Sequence, residues 1–220
     1  MQDWLKKIIK DISFKTLIAS VLFLVSIFFF AFLAHEAVLE KEDLFDARVF
    51  SFLKGYTTPG LIHIMAVLTF FGSTYFLLPT YIILVIVLFL KRKKTEAINI
   101  AIIAITSTAL AFILKNIFHR HRPDLPLLKT LHNYSFPSGH ALSSFIFCSL
   151  VIYLIWKSTM SKTLKYIIAI LLILFSISIG VSRIVLRYHY ASDVLAGFCL
   201  GYAWVILSLW VQGRLVKRLD

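Results

Sequence analysis

The stretch GYTTPGLIHIMAVLTFFGSTYFLLPTYIILVIVLFL, residues Gly55–Leu90, contains no Asp, Glu, Lys or Arg. A bilayer core of about 30 Å takes about 20 apolar residues per helix, within a range of roughly 17–25. Gly55–Leu90 is therefore too long for one straight span. Pro59, Gly60, Gly72 and Pro79 break its pattern. It holds either two short spans, or one span over about Ser73–Leu90 preceded by an interfacial or short helix near 58–71.

The flanking sequence decides between these. Further apolar runs cover Thr16–Ala34, Ala97–Leu114, Ala141–Trp156, Tyr166–Val181 and Val194–Val211. Basic residues gather at Lys6, Lys7, Lys10 and Lys15, at Lys91–Lys94, over Lys157–Lys165, and at Arg214, Lys217 and Arg218. Short basic segments stay on the cytoplasmic side. One span in Gly55–Leu90 gives six helices and puts all four basic segments on that side; two spans separate the N-terminal group from the rest. The expected fold is all-α: a polytopic membrane protein with six transmembrane helices and both termini cytoplasmic. The first apolar run exceeds the roughly 7–15 residues of a signal-peptide core and has no convincing cleavage site, so it is read as a retained helix. With no linker, repeat or low-complexity tract, residues 1–220 read as a single domain, the chemistry-bearing core lying at about 97–211.

Composition agrees. The chain is 60% hydrophobic and 15% charged, against about 45–50% and about 25% in soluble domains. Intrinsic disorder and a disulfide scaffold are excluded. The two cysteines, Cys148 and Cys199, fall inside apolar runs and read as small buried residues. The net charge of +12 comes from 23 Lys and Arg against 11 acids. Fourteen of those bases and four acids fall on the cytoplasmic side, leaving +10 there and +2 outside. Most of the excess thus reports orientation. Nucleic acid is not an expected partner, because the bases lack aromatic interleaving and any binding motif.

Three clusters sit at the outer ends of helices, where charged groups are costly and usually functional. In the first, Lys115 and Arg122 lie seven apart, about two turns, and share a face if the helix persists. Two cations suit a phosphate; they equally suit a patch on lipid headgroups. In the second, Pro137-Ser138-Gly139-His140, Ser138 is placed as an N-cap and Gly139 allows close backbone approach. It is a plain cap or an anion site. In the third, Ser182-Arg183 precede His189 and Asp193, which lie four apart. A carboxylate there fixes the histidine tautomer and frees the other ring nitrogen as a nucleophile, or the pair is structural. Together, three cations, a helix N-terminus and two histidines on one side fit phosphoryl transfer through a phosphohistidine. No pair of carboxylates and no His-Glu-x-x-His set points to a metal.

The pattern Lys-x6-Arg-Pro, Pro-Ser-Gly-His and Ser-Arg-x5-His-x3-Asp resembles that of the type 2 phosphatidic acid phosphatase (PAP2) superfamily, over about Lys115–Gly197. The resemblance implies His189 as nucleophile, Asp193 as its orienter and His140 as general acid. It implies phosphate binding by Lys115, Arg122, Arg183, Ser138 and Gly139, and no metal or cofactor. It implies a lipid phosphate or pyrophosphate substrate among membrane lipids, with undecaprenyl pyrophosphate or phosphatidylglycerol phosphate favoured and lipid A phosphatase as the enzymatic alternative. A bacterial inner membrane is the expected location. A catalytically silent lipid-binding or transport protein is the alternative of another class; the intact His189, Asp193 and His140 argue against it. His119, Arg120, His121 and Arg187 lie outside the pattern and are read as exposed to solvent or headgroups, in preference to holding a second phosphate. The acidic stretch Glu36–Asp46 is an outer-lid candidate. The sequence leaves the oligomeric state open.

Overall fold

Hydroxyl side chains set several of the helix starts. The computed structural model describes residues 14–36 and 44–219. The basic residues Lys6, Lys7 and Lys10 and positions 37–43 of the acidic stretch lie outside the described residues. Eight helices and no strand are present among the described residues. They are α1 Phe14–Ala34, α2 Leu44–Lys54, α3 Pro59–Phe71, α4 Thr74–Leu90, α5 Lys94–Phe118, α6 Gly139–Trp156, α7 Lys162–Val185 and α8 Ala191–Leu219. Thr58, Ser138 and Ser161 cap α3, α6 and α7 through side-chain oxygens that accept from Leu61, Ala141 and Leu164 N–H. Each cap satisfies a donor that the first helical turn leaves unpaired.

Among the described residues, six segments are long and apolar enough to cross a membrane. Five contain α1, α5, α6, α7 and α8; the sixth runs Pro59–Leu90 through α3 and α4. The protein is an all-α, integral membrane protein with six candidate spans, as the sequence predicts. The short helix expected near 58–71 is present as α3. Phe71 stacks edge-on against Phe175 of α7 at 5.4 Å, and Thr69 bonds Arg183, so α3 enters the bundle and α4 continues it. Pro79 does not break α4; within a bundle, a proline's lost backbone bond is tolerated in transmembrane helices. The real break is Gly72-Ser73.

Helix α6 lies at the centre. Its Leu142, Ile146 and Leu150 pack with Ile100 and Ile103 of α5, Leu200 and Val205 of α8 and Leu88 of α4. All of these are buried. The outer faces carry exposed Leu, Ile, Val and Phe, from Leu24 and Phe28 on α1 to Ile170 and Leu174 on α7, as lipid-facing surfaces require. Helix α1 packs along α8, with Leu33 and Ala34 against Phe136 and Ala196. Lys157 pairs with Glu96 at 3.6 Å, which puts the basic connections Lys91–Lys94 and Lys157–Lys165 at one end. Lys115 and Gly139 close the opposite ends of α5 and α6. Cys148 is buried, Cys199 half-buried, and both are free thiols.

Candidate active site

Helix α5 does not persist to Arg122. It ends at Phe118, and His119 takes a left-handed φ of 49°. Lys115 and Arg122 therefore do not share a helical face. They converge because the chain doubles back over them: Lys115 Nζ donates to the carbonyls of Tyr134 (2.6 Å) and Ser135 (3.0 Å), while Arg122 donates to the Asn133 carbonyl (2.8 Å) and Asn133 Oδ1 (2.7 Å). Arg122 also donates to the Tyr188 carbonyl, which ties this connection to the turn before α8.

His189 and Asp193 meet by a different route from the one their spacing predicts. Helix α8 begins at Ala191, so His189 precedes it. Asp193 sits in the first turn, and its Oδ2 accepts from Tyr190 N–H at 2.9 Å. An acid in a first turn is held by such backbone donors and by the helix dipole. The same oxygen lies 3.3 Å from His189 Nδ1 and accepts from the Ser135 hydroxyl. On the other edge of the ring, Nε2 lies 3.2 Å from an Arg122 nitrogen. A guanidinium only donates, so Nε2 carries the lone pair and the ring proton sits on Nδ1. His189 is almost wholly buried. Burial, with Arg122, Arg183 and Lys115 close by, holds its pKa well below the ordinary histidine value.

Ser138 caps α6 and is fully buried; its N–H donates to the Asp193 carbonyl at 3.0 Å. This bond seats the start of α6 on the start of α8. Gly139 opens on the site: a Cβ there would meet only Lys115 Cε, at 4.0 Å. Arg183 reaches in from the last turn of α7. It donates to Thr69 Oγ1 at 2.6 Å and lies over the Tyr188 ring at 4.3 Å, and its buried Nε has no hydrogen-bond partner. His140 stands against the α3–α4 break, where a Cβ on Gly72 would come within 3.3 Å of the histidine Cβ. Lys115, Arg122, Gly139, His140, Arg183 and His189 all line one cavity of about 670 Å³. No acid lines it. From this polar end the cavity runs down between α4 and α5, past Leu77, Leu78, Ile105, Thr108 and Phe112. Leu78, Ile105 and Phe112 are also exposed on the flank of the bundle.

Three of the neighbouring residues depart from expectation. Arg120, read as exposed, is buried and forms ion pairs with Asp193 (2.7 Å) and Asp46 (2.9 Å). Arg187 is half-buried, 5.9 Å above the Phe50 ring. Asp46, read as part of an acidic lid, is buried on α2 and accepts from the Ser192 N–H and hydroxyl. His119 and His121 are exposed as expected. Ser135 and Asn133 were legible to no spacing rule, because each works through a loop contact. Among the described residues no three His, Cys, Asp or Glu side chains form a metal-binding group.

The fold and site define a helical membrane protein with a cavity lined by three cations and two histidines. The family model of the PAP2 superfamily matches residues 96–217, and the chain belongs to this superfamily. It is 31% identical to phosphatidylglycerophosphatase B of Bacillus subtilis over 159 residues, 70% of this chain and 75% of that protein. It is 30% identical to dolichyldiphosphatase 1 of Dictyostelium discoideum over 127 residues, 54% of this chain and 56% of that one. The crystal structure of a transmembrane PAP2-type phosphatidylglycerolphosphate phosphatase from Bacillus subtilis superposes with a TM-score of 0.80 at 26% identity, covering 87% of this chain and 96% of that one. LpxE of Aquifex aeolicus gives 0.59 at 28% identity, over 74% and 94%.

Proposed function

We propose that this chain, acting as a single domain, hydrolyses a lipid phosphate or diphosphate through a phosphohistidine, without a metal. The observation that carries the reading is the cavity lining: Lys115, Arg122 and Arg183 around the lone pair of His189, with no acid among them. Three cations, Arg183 buried and Lys115 and Arg122 half-buried, without lining counter-charges match a phosphoryl group, whose developing charge they stabilise in the transition state. The N-terminus of α6, with Ser138 and Gly139, adds backbone donors.

In the first step His189 Nε2 attacks phosphorus, and the bond from phosphorus to the lipid oxygen breaks. His140 gives that oxygen its proton. Asp193 holds the Nδ1 proton and stabilises the positive ring that forms. In the second step His140 takes a proton from water, the water oxygen attacks phosphorus, and the phosphorus–nitrogen bond breaks. Inorganic phosphate leaves and His189 is restored. The apolar limb of the cavity between α4 and α5 suits the lipid tail, which then never leaves the bilayer.

The B. subtilis relatives favour phosphatidylglycerol phosphate, and the dolichyldiphosphatase favours a polyprenyl diphosphate such as undecaprenyl pyrophosphate. The charge partition favours both termini in the cytoplasm and the site facing outward, in a bacterial inner membrane. The deciding experiment measures phosphate release by purified protein from phosphatidylglycerol phosphate, undecaprenyl pyrophosphate and lipid A, with a chelator present. Release from one of these supports the reading. Strict metal dependence overturns the proposed chemistry, and binding without turnover points to a silent lipid-binding protein instead.

A further inference from the structure

Asp193 and Asp46 are buried acids held by one guanidinium. Arg120 Nη1 donates to Asp193 Oδ1 (2.7 Å) and Ser192 Oγ (2.8 Å), while Nη2 donates to Asp46 Oδ2 (2.9 Å). The guanidinium lies over the Tyr190 ring at 4.0 Å. Asp46 is 2% exposed and Asp193 0%. Asp46 also accepts from Ser192 N–H at 2.9 Å, at the start of α8, where an anion is favoured. The two oxygens of Asp193 are thereby divided. One faces Arg120, and the other faces His189, Ser135 and Tyr190 N–H.

A carboxylate shared with a guanidinium is less basic than a free one, and a guanidinium shared between two carboxylates neutralises each less. We propose that Arg120 and Asp46 are positioning residues that set the basicity of the Asp193–His189 pair, Arg120 lowering it and Asp46 restoring part of it through the same guanidinium. This rests on the reading of His189 as nucleophile. A weaker Asp193 stabilises the positive ring of the intermediate less; a stronger one holds the Nδ1 proton more tightly and raises the pH at which the pair protonates. Arg120 also fixes Asp193 Oδ1, so the carboxylate cannot turn from the histidine. Helix α2, no described residue of which lines the cavity, gains by this route a hold on the histidine ring.

Other charged or titratable groups face the same pair. Lys115 does so from α5, Arg122 from the α5–α6 connection, His140 from α6, Arg183 from α7, and Tyr188 and Tyr190 from the turn before α8. Helix α1 brings Phe30, Leu33 and Ala34 to this end, and His35 and Glu36 follow its last turn. The variants below leave all of them in place.

The test uses the full chain with its lipid phosphate substrate and compares Asp46→Asn, Arg120→Gln and Arg120→Lys with wild type. It reads kcat, KM, thermal stability and the acid limb of kcat/KM. Arg120→Gln is expected to lower kcat by about 10–100-fold, because Asp193 is then free to turn from the histidine and a misplacement of about 1 Å costs up to about 100-fold, with KM little changed. Its acid limb moves to higher pH. Asp46→Asn moves the limb the other way, because Arg120 then acts on Asp193 alone. Arg120→Lys returns the limb toward wild type. Limbs that stay at the wild-type pH in both Asp46→Asn and Arg120→Gln, or that move in the same direction, overturn the proposal, whatever happens to stability. If Arg120→Gln does not fold, Asp46→Asn decides alone: a downward shift supports, and an unmoved or upward limb overturns. Absence of turnover in wild type, or turnover retained by His189→Ala, defeats the parent reading instead, so the two failures are distinct.

Discussion

At His189 the arrangement of donors fixes which nitrogen carries the lone pair. Arg122 can only donate to Nε2, and Asp193 can only accept from Nδ1 while it is ionised. His189→Ala should therefore abolish phosphate release, and acid-quenched wild type should carry an acid-labile phosphoryl group on that residue; a label found elsewhere would sink the assignment. The pH dependence follows from the direction of the His189 shift. A lowered pKa keeps the ring neutral below the ordinary value of about 6.5. The enzyme's acid limb in kcat/KM, corrected for the substrate's own titration, should thus fall below that value; a limb above it would contradict the buried, cation-flanked ring. Arg120 is the opposite case. Burial opposes its charge, but Asp193 and Asp46 outweigh burial and raise its pKa, so it stays a fixed cation throughout that range.

Among the helices, glycine decides two close approaches that bring the cavity-lining groups together. A Cβ on Gly197 of α8 would meet the Ser138 carbonyl oxygen at 2.7 Å and Ala141 Cβ at 3.1 Å. This contact seats α8 against the first turn of α6. Gly197→Ala should push that turn away, costing about 1–3 kcal/mol as overpacking does and lowering kcat together with thermal stability. A Cβ on Gly72 would meet Ile179 at 2.6 Å and the His140 ring at 3.1 Å. The α3–α4 break is thus placed where a helix with side chains would crowd His140. Gly72→Ala should lower kcat more than it raises KM for a phosphate headgroup, as measured by steady-state kinetics. Equal kinetics in both variants and wild type would show that these approaches do not set the site.

For the molecule as a whole, the shape of the cavity makes a statement about substrate. Its polar end lies among the cations and its apolar limb runs between α4 and α5 to the flank of the bundle. Thr108→Trp should fill that limb on an exposed position of α5. Turnover of a long-chain lipid phosphate should fall several-fold while a short, soluble phosphate ester is cleaved at the wild-type rate; equal loss for both would remove the tail from the limb. Orientation is checked by labelling Lys129→Cys in a background without Cys148 and Cys199. Lys129 is exposed beside the site, so labelling from outside supports the outward-facing reading, and labelling only from the cytoplasm overturns it.

The sequence by itself determined the number of spans and their approximate places, because hydropathy and charge act locally: each run must be apolar enough to enter lipid whatever its neighbours do. It also determined the cap at Ser138, since a cap and its donor lie three residues apart. The three motif blocks were legible for the same reason, and the structure brings Lys115, Arg122, Gly139, His140, Arg183 and His189 around one cavity. Tertiary structure alone decided how they meet. The left-handed turn at His119 ended the helix that Lys115 and Arg122 were expected to share, and the loop through Asn133, Tyr134 and Ser135 replaced it as the support. The Asp46–Arg120–Asp193 chain joins residues more than 70 positions apart. Its partners become visible only when α2 folds across the start of α8, because a buried charge is defined by what surrounds it in space and not by what adjoins it along the chain.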